Sequence, residues 1–187
     1  MRALLSEKIN DKFSLNIKTT DEPIIEDDAV LIKVIACGIN YPDTLIIKDE
    51  YQIKPTRPFA PGGEISGIII KKGKKVVDWH NGDRVIAITT FGGLAEYVSC
   101  KADKLVKLPD GITMATGAGF LFTYGTAYHA LHDRGRLTTN ETVLVLGAAG
   151  GVGLAAVELA KAHNAYVIGA VSDDQKRNAV LESGADQ

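Results

Sequence analysis

The 187-residue chain carries 21 basic and 23 acidic side chains for a formal net charge of -2, with 45% hydrophobic and 24% charged residues. That is the balance of a soluble globular protein, and the net charge gives no general reason to expect nucleic acid as a partner, since binding a phosphate backbone needs a clustered positive face. Two cysteines, Cys37 and Cys100, supply no disulfide framework and point to a reducing, cytoplasmic setting.

The opening "MRALLSEKIN" has too short an apolar run for a secretory leader. Short strands separated by turn residues follow, over Arg2 to Leu5, Phe13 to Ile17, Ala29 to Ala36, Ile65 to Lys71, Arg84 to Ile88, Ala95 to Val98 and Leu105 to Leu108. This spacing predicts a barrel-like β domain. "PDTLIIKD" reads as a short helix with Pro42 in its first turn, "KKGKK" as a solvated turn, and "NGDRV" as an Asn-Gly turn entering a strand. After "LPDGIT" the character changes. Met114 to Gly119 and Tyr124 to Arg134 read as helical, "VLVL" as a strand, "AYVIGAVS" as another, and "DDQKRNAVLESG" as a helix ended by Gly184. Strand, helix, strand, helix predicts parallel pairing, with the glycine turn at the carboxyl end of the sheet.

"VLVLGAAGGVGLAAVELAKA", residues 143 to 162, is long and apolar enough to be weighed as a membrane span. Its order argues against that. A β-branched run of the kind a buried parallel strand uses comes first. Gly147, Gly150, Gly151 and Gly153 then interrupt any helix, and helical character is expected to resume at Leu154, with Glu158 and Lys161 on the solvated side. Strand, glycine turn and helix together make a cradle for a phosphate. In a G-x-G-x-x-G fingerprint the first glycine makes the tight turn, the second lets backbone approach a pyrophosphate, and the third lets the helix pack closely. Here the aligned run is Ala148-Ala149-Gly150-Gly151-Val152-Gly153, with alanine in the first place. A ligand-free tight turn is the alternative.

An NAD site places an acid at the end of the second strand. Val171 and Ser172 stand there, Asp173 and Asp174 follow as acids suited to a helix N-terminus, and Lys176 and Arg177 can neutralise a 2'-phosphate. NADPH is the expected cofactor. Asp173 or Asp174 reaching a ribose is the NAD alternative.

"GINYPD", "PFAPGGEISG", "NGDRV", "TYGTAYHAL" and "VLGAAGGVG", in this order and spacing, resemble the zinc-independent NADPH:quinone oxidoreductases of the medium-chain dehydrogenase/reductase superfamily. The resemblance covers essentially the whole chain. It implies an α/β protein with a GroES-like β-barrel catalytic domain over 1-120 and the first part of a Rossmann NAD(P)-binding domain over 121-187, the active site lying in the cleft between them. It also implies a long further segment completing the Rossmann sheet, so residues 1-187 alone are expected not to turn over substrate.

Zinc-dependent relatives place Cys where Asn40 stands and His where Gly63 stands. Neither residue here is a serviceable zinc ligand, and no metal is expected. Cys37 reads as a small buried thiol. His129 and His132 share a helical face without a third ligand. In the resemblance Asn40 offers an amide N-H to the acceptor or the nicotinamide ribose, or simply caps the helix after Ile39. Tyr51 donates or stacks, or only pins its loop, and Thr126 lies near the cofactor. Ala148, Gly150, Gly151, Val152, Gly153, Ser172 and Lys176 complete the expected cofactor set. The reaction expected is hydride transfer from NADPH to a quinone or activated enone. A 2-enoyl thioester reductase, or a cofactor-binding or RNA-binding protein without turnover, are the alternatives. No membrane association and a homodimer are expected.

Overall fold

The computed structural model describes residues 1–187, the side chain of Ile9 excepted. The chain divides into two compact units, Met1–Leu121 and Phe122–Gln187.

The first unit opens with a hairpin of β1 (Arg2–Ile9) and β2 (Lys12–Thr19), paired in register from Arg2 with Thr19 to Ile9 with Lys12. Its two-residue turn, Asn10-Asp11, has φ of 49° and 60°. Positive φ at both central residues lets a tight turn match the strand twist, and Asn and Asp tolerate that conformation. The main sheet is antiparallel with strand order β6-β3-β4-β5-β7. Its members are β3 (Ala29–Gly38), β4 (Glu64–Lys72), β5 (Arg84–Ile88), β6 (Tyr97–Lys101) and β7 (Leu105–Lys107). Alternate β-branched residues face one core, among them Val30, Ile32, Ile65, Ile69 and Val85, all fully buried. Each such side chain stabilises the fold by roughly 1.5 to 3 kcal/mol relative to exposure.

The predicted barrel is not closed. β6 and β7 end the sheet without pairing to one another among the described residues, and the hairpin meets the rest through the isolated bridges Ala3 with Ala95 and Ser6 with Phe59. A three-residue β7 has too few ladder groups to continue the sheet round to its far edge. Arg57 fastens the hairpin instead. Its guanidinium donates to Ser6 Oγ at 2.5 Å, Ile47 O at 2.9 Å and Asp49 Oδ1 at 2.6 Å, and lies over the rings of Phe13 and Phe59. Helices α1 (Tyr41–Ile47) and α2 (Met114–Ala118) complete the unit.

A helical stretch that starts at Leu121, the last residue of the first unit, opens the second; its ends are wide-turned, Leu121–Gly125 and His129–Arg134, around a short α-helical α3 (Thr126–Tyr128). β8 (Thr142–Leu146) and β9 (Tyr166–Ala170) then pair in parallel, with α4 (Gly151–Ala162) between them in sequence and α5 (Asp174–Glu182) after them. Val145, Ala148, Val157, Ala160, Val167 and Val180 form the core. Gly184, at φ +105°, follows α5 as expected. α4 starts at Gly151, not at Leu154. Glycine propensity argues against that start, yet the first turn of a helix sacrifices no internal hydrogen bond and tertiary packing overrides propensity there. No helix among the described residues is long and apolar enough to cross a membrane.

Candidate functional site

In the second unit β8 ends against a turn whose geometry separates the work of its glycines. Gly147 takes φ +64°, a left-handed conformation that glycine adopts at little cost. The tight turn thus belongs to Gly147, one place before the residue aligned with the first fingerprint glycine. Ala148, at that aligned place, is fully buried and donates its N-H to Ala170 O at 3.1 Å. A register read from glycine spacing alone could not show this shift, although Gly147 at the strand's end was the available signal. At Gly153 an added Cβ would lie 2.4 Å from Gly147 O and 2.7 Å from Ala148 Cα, so close packing of α4 on the turn requires glycine.

Gly150 differs. Its φ of -79° and ψ of 163° suit any L-residue, and a Cβ there would meet nothing nearer than Gly147 O at 3.4 Å. The fold makes no demand for glycine at this position, whereas close approach of a ligand does. Gly150 is also the N-cap of α4 and has no side chain with which to satisfy the first-turn N-H groups of Gly151, Val152 and Gly153. Free donors and partial positive charge at a helix N-terminus suit a phosphate.

A cavity of about 450 Å³ lies beside this turn, lined by Gly147, Ala149 and Gly150 on one side and Ala170, Val171, Ser172 and Lys176 on the other. Lys176 Nζ donates to Ser172 Oγ at 2.9 Å and pairs with Asp173 Oδ2 at 3.0 Å. An ammonium has three N-H donors, so one remains for an anion entering the cavity. Asp173 is the N-cap of α5, accepting the Lys176 N-H at 3.2 Å, and the Lys176 side chain holds its carboxyl below the usual aspartate range. That carboxylate is occupied by its helix and its lysine. The residues present therefore fit a pyrophosphate at the α4 turn and a further phosphate at Ser172 and Lys176. Thr126 is exposed, on a segment packed against α4. Tyr124 donates to the Glu158 carboxylate from the preceding wide turn. His129 pairs with Asp133 at 2.8 Å, while His132 lies against the rings of Tyr128 and His163.

In the first unit the pairing of Gly38 with Glu64 ends the β3-β4 ladder two residues before Asn40. Asn40 is the N-cap of α1 and forms a capping box with Asp43. The Asn40 N-H donates to Asp43 Oδ2 at 2.7 Å, and the other carboxylate oxygen accepts the Gly62 N-H at 3.0 Å. The side-chain amide of Asn40 donates from Nδ2 to Glu64 Oε2 at 3.1 Å. Glu64 is fully buried, as Asp43 nearly is. Composition gave a faint signal for Glu64, an acid heading the apolar run "EISGIII", but chemistry at that position was not anticipated. Burial pushes the half-buried Cys37 thiol up to about 12, with Asp43 and Glu64 adding to the effect, so it is held as a neutral thiol. Tyr51 lies on the loop after α1, partly buried, and no hydrogen bond joins it to Asn40 among the described residues. No group of three His, Cys, Asp or Glu side chains among the described residues is placed to hold a metal.

Residues 26–110 match the alcohol dehydrogenase GroES-like domain. The chain is 40% identical over 164 residues to a quinone oxidoreductase of Mus musculus, covering 87% of this chain and 50% of that protein. Among solved structures, the quinone oxidoreductase of Thermus thermophilus, known also in complex with NADPH, superposes with a TM-score of 0.86 at 33% identity, covering 100% of this chain and 58% of that one. The CurK enoyl reductase gives a TM-score of 0.83 at 25% identity, over 100% of this chain and 58% of its own. The chain spans about half the length of the curated relatives it matches. The GroES-like match, the sequence identity and the fold agree in making this chain similar to quinone oxidoreductases.

Proposed function

We propose that the protein transfers a hydride from NADPH to a quinone or related activated enone, without a metal. The observation that carries this reading is the cavity at the N-terminus of α4, where an undemanded glycine, Gly150, faces Ser172 and Lys176. NADPH supplies the hydride when bound. The N-H groups of Gly151, Val152 and Gly153 hold its pyrophosphate, Gly150 gives it room, and Ala148 anchors the turn to β9. Ser172 and Lys176 hold the 2'-phosphate, and Thr126 flanks the cofactor.

An acceptor that is already electron-poor needs alignment and a hydrogen-bond donor for its developing oxyanion rather than a Lewis acid. Asn40 donates an amide N-H to it, and Tyr51 a phenolic hydrogen bond or a stacking face. Asn40 and Gly63 stand where zinc-dependent relatives place a thiolate and an imidazole, which supports metal-free chemistry. To the same reading belong a GroES-like catalytic domain over 1-120, a Rossmann domain beginning at 121, and a cytoplasmic homodimer. Parallel rates of NADPH oxidation by the full-length protein with a simple quinone and with a crotonyl thioester test the reading. Faster turnover of the quinone is expected. Preference for the thioester would reassign the protein as an enoyl reductase.

A further inference from the structure

Two carboxylates converge on Asn40, and they hold different parts of it. Asp43 takes the main-chain N-H at 2.7 Å and fixes the start of α1. Glu64 takes one side-chain N-H at 3.1 Å from a position with no solvent exposure. Its Oε2 accepts, which fixes the nitrogen end of the Asn40 amide toward Glu64. The Asp43 N-H donates to the main-chain carbonyl of Asn40 at 3.0 Å, and the other end of the Asn40 side chain faces the same helix start without a hydrogen bond to it. An amide nitrogen carries two N-H donors. With one bound to Glu64 and the carbonyl end facing α1, the second N-H is the donor the amide still presents.

Glu64 is itself held firmly. It heads β4, where it is paired with Gly38 on one side and Ile88 on the other. A Cβ at Gly38 would lie 2.9 Å from Glu64 Oε2, so the backbone is packed against the carboxylate. A polar group with no solvent exposure is costly to a fold unless it is hydrogen-bonded, and the Asn40 amide supplies such a bond to Glu64.

We infer that Glu64 is the positioning residue for Asn40, locking its side-chain amide so that a single N-H is presented as a donor to a carbonyl oxygen. The inference rests on the reading of Asn40 as the donor to the acceptor's developing oxyanion. It adds that the donor geometry is set by β4, not by Asn40 alone.

Glu64→Met removes the acceptor at similar length, and Glu64→Gln keeps an acceptor oxygen without the charge. In the full-length protein, Glu64→Met is expected to lower kcat with a quinone at least tenfold, leaving the KM for NADPH within about twofold, while Glu64→Gln recovers most of the rate. The side-chain amide resonances of Asn40, assigned by their loss in Asn40→Asp, should move in Glu64→Met, while the backbone resonances of Tyr41 to Ile47 stay in place. A merely structural role would move those backbone resonances and would not separate kcat from KM. The inference is overturned if Glu64→Met leaves the Asn40 amide resonances unmoved, or if it raises the KM for NADPH with kcat unchanged. Absence of quinone turnover in the wild type would sink the proposed function instead, and the amide resonances would still decide the orientation of Asn40.

Discussion

Replacing Gly150 and Gly153 one at a time by alanine separates a glycine kept for a ligand from one kept for the fold. At residue 153 the new methyl would lie 2.4 to 2.7 Å from main-chain atoms of Gly147 and Ala148, where carbon contacts prefer about 3.5 to 4.0 Å. Backbone cannot swing aside, so α4 must shift, at roughly 1 to 3 kcal/mol for overpacking. The better helix propensity of alanine returns about 1 kcal/mol. The net loss of up to about 2 kcal/mol should lower Tm by up to about 8 °C for a chain of this size. At residue 150 the nearest atom is 3.4 Å away and the backbone is already extended. Alanine is a poorer N-cap than glycine by roughly 0.5 to 1 kcal/mol, and the stiffer unfolded chain returns about 0.4 to 1 kcal/mol. Stability should be unchanged to within about 0.5 kcal/mol, while a methyl over the free N-H groups of α4 should cost one charge-assisted contact, about 1.5 to 3 kcal/mol. That is a rise in the NADPH Kd of roughly tenfold to a hundredfold. Thermal melting and a fluorescence titration with NADPH read the two effects separately. Wild-type NADPH affinity in Gly150→Ala, or equal destabilisation of the two variants, would refute the division of labour.

Lys176→Ala should weaken NADPH about tenfold and leave NADH nearly unchanged, at the low end for a charged contact because the lysine is exposed and already shared with Ser172 and Asp173; parallel titrations with the two cofactors check it. Lys161 first, then the Val167 N-H, hold the Asp186 carboxyl below its ordinary 3.8. A lowered folded pKa means that the stabilisation is complete above about pH 4 and is lost as pH falls from 3.8 toward the folded value, so Asp186→Asn should flatten the acid limb of a melting profile against pH. The Cys37 and Cys100 thiols, pushed by burial up to about 12 and about 11, should resist iodoacetamide at mildly alkaline pH until the protein is unfolded, as mass spectrometry would record.

The strands of both units were legible because their residues are β-branched and bounded by turn residues. Arg84 to Ile88 is reproduced residue for residue, and Asn81-Gly82 turns where expected, with Gly82 at φ +97°. What local pattern could not carry was closure. Whether β6 and β7 meet depends on pairings between residues far apart in sequence, and the short β7 leaves the sheet open. The start of α4 was misplaced because propensity penalises Gly151 and Gly153, whereas packing on Gly147 and Ala148 requires the small residue at 153. Asn40 as an N-cap followed from its place before "YPDTL". Its bond to Glu64 did not, since it spans 24 residues and joins two elements that only the β3-β4 register brings together.

The most direct test of metal-free hydride transfer is the initial rate of NADPH oxidation by full-length protein with a simple quinone, measured before and after exhaustive chelation, with zinc content determined on the same sample. Turnover that is undiminished by chelation, in protein without stoichiometric zinc, is the expected result. No quinone-dependent oxidation of NADPH, or activity that disappears with a chelated metal and returns with zinc, would contradict it.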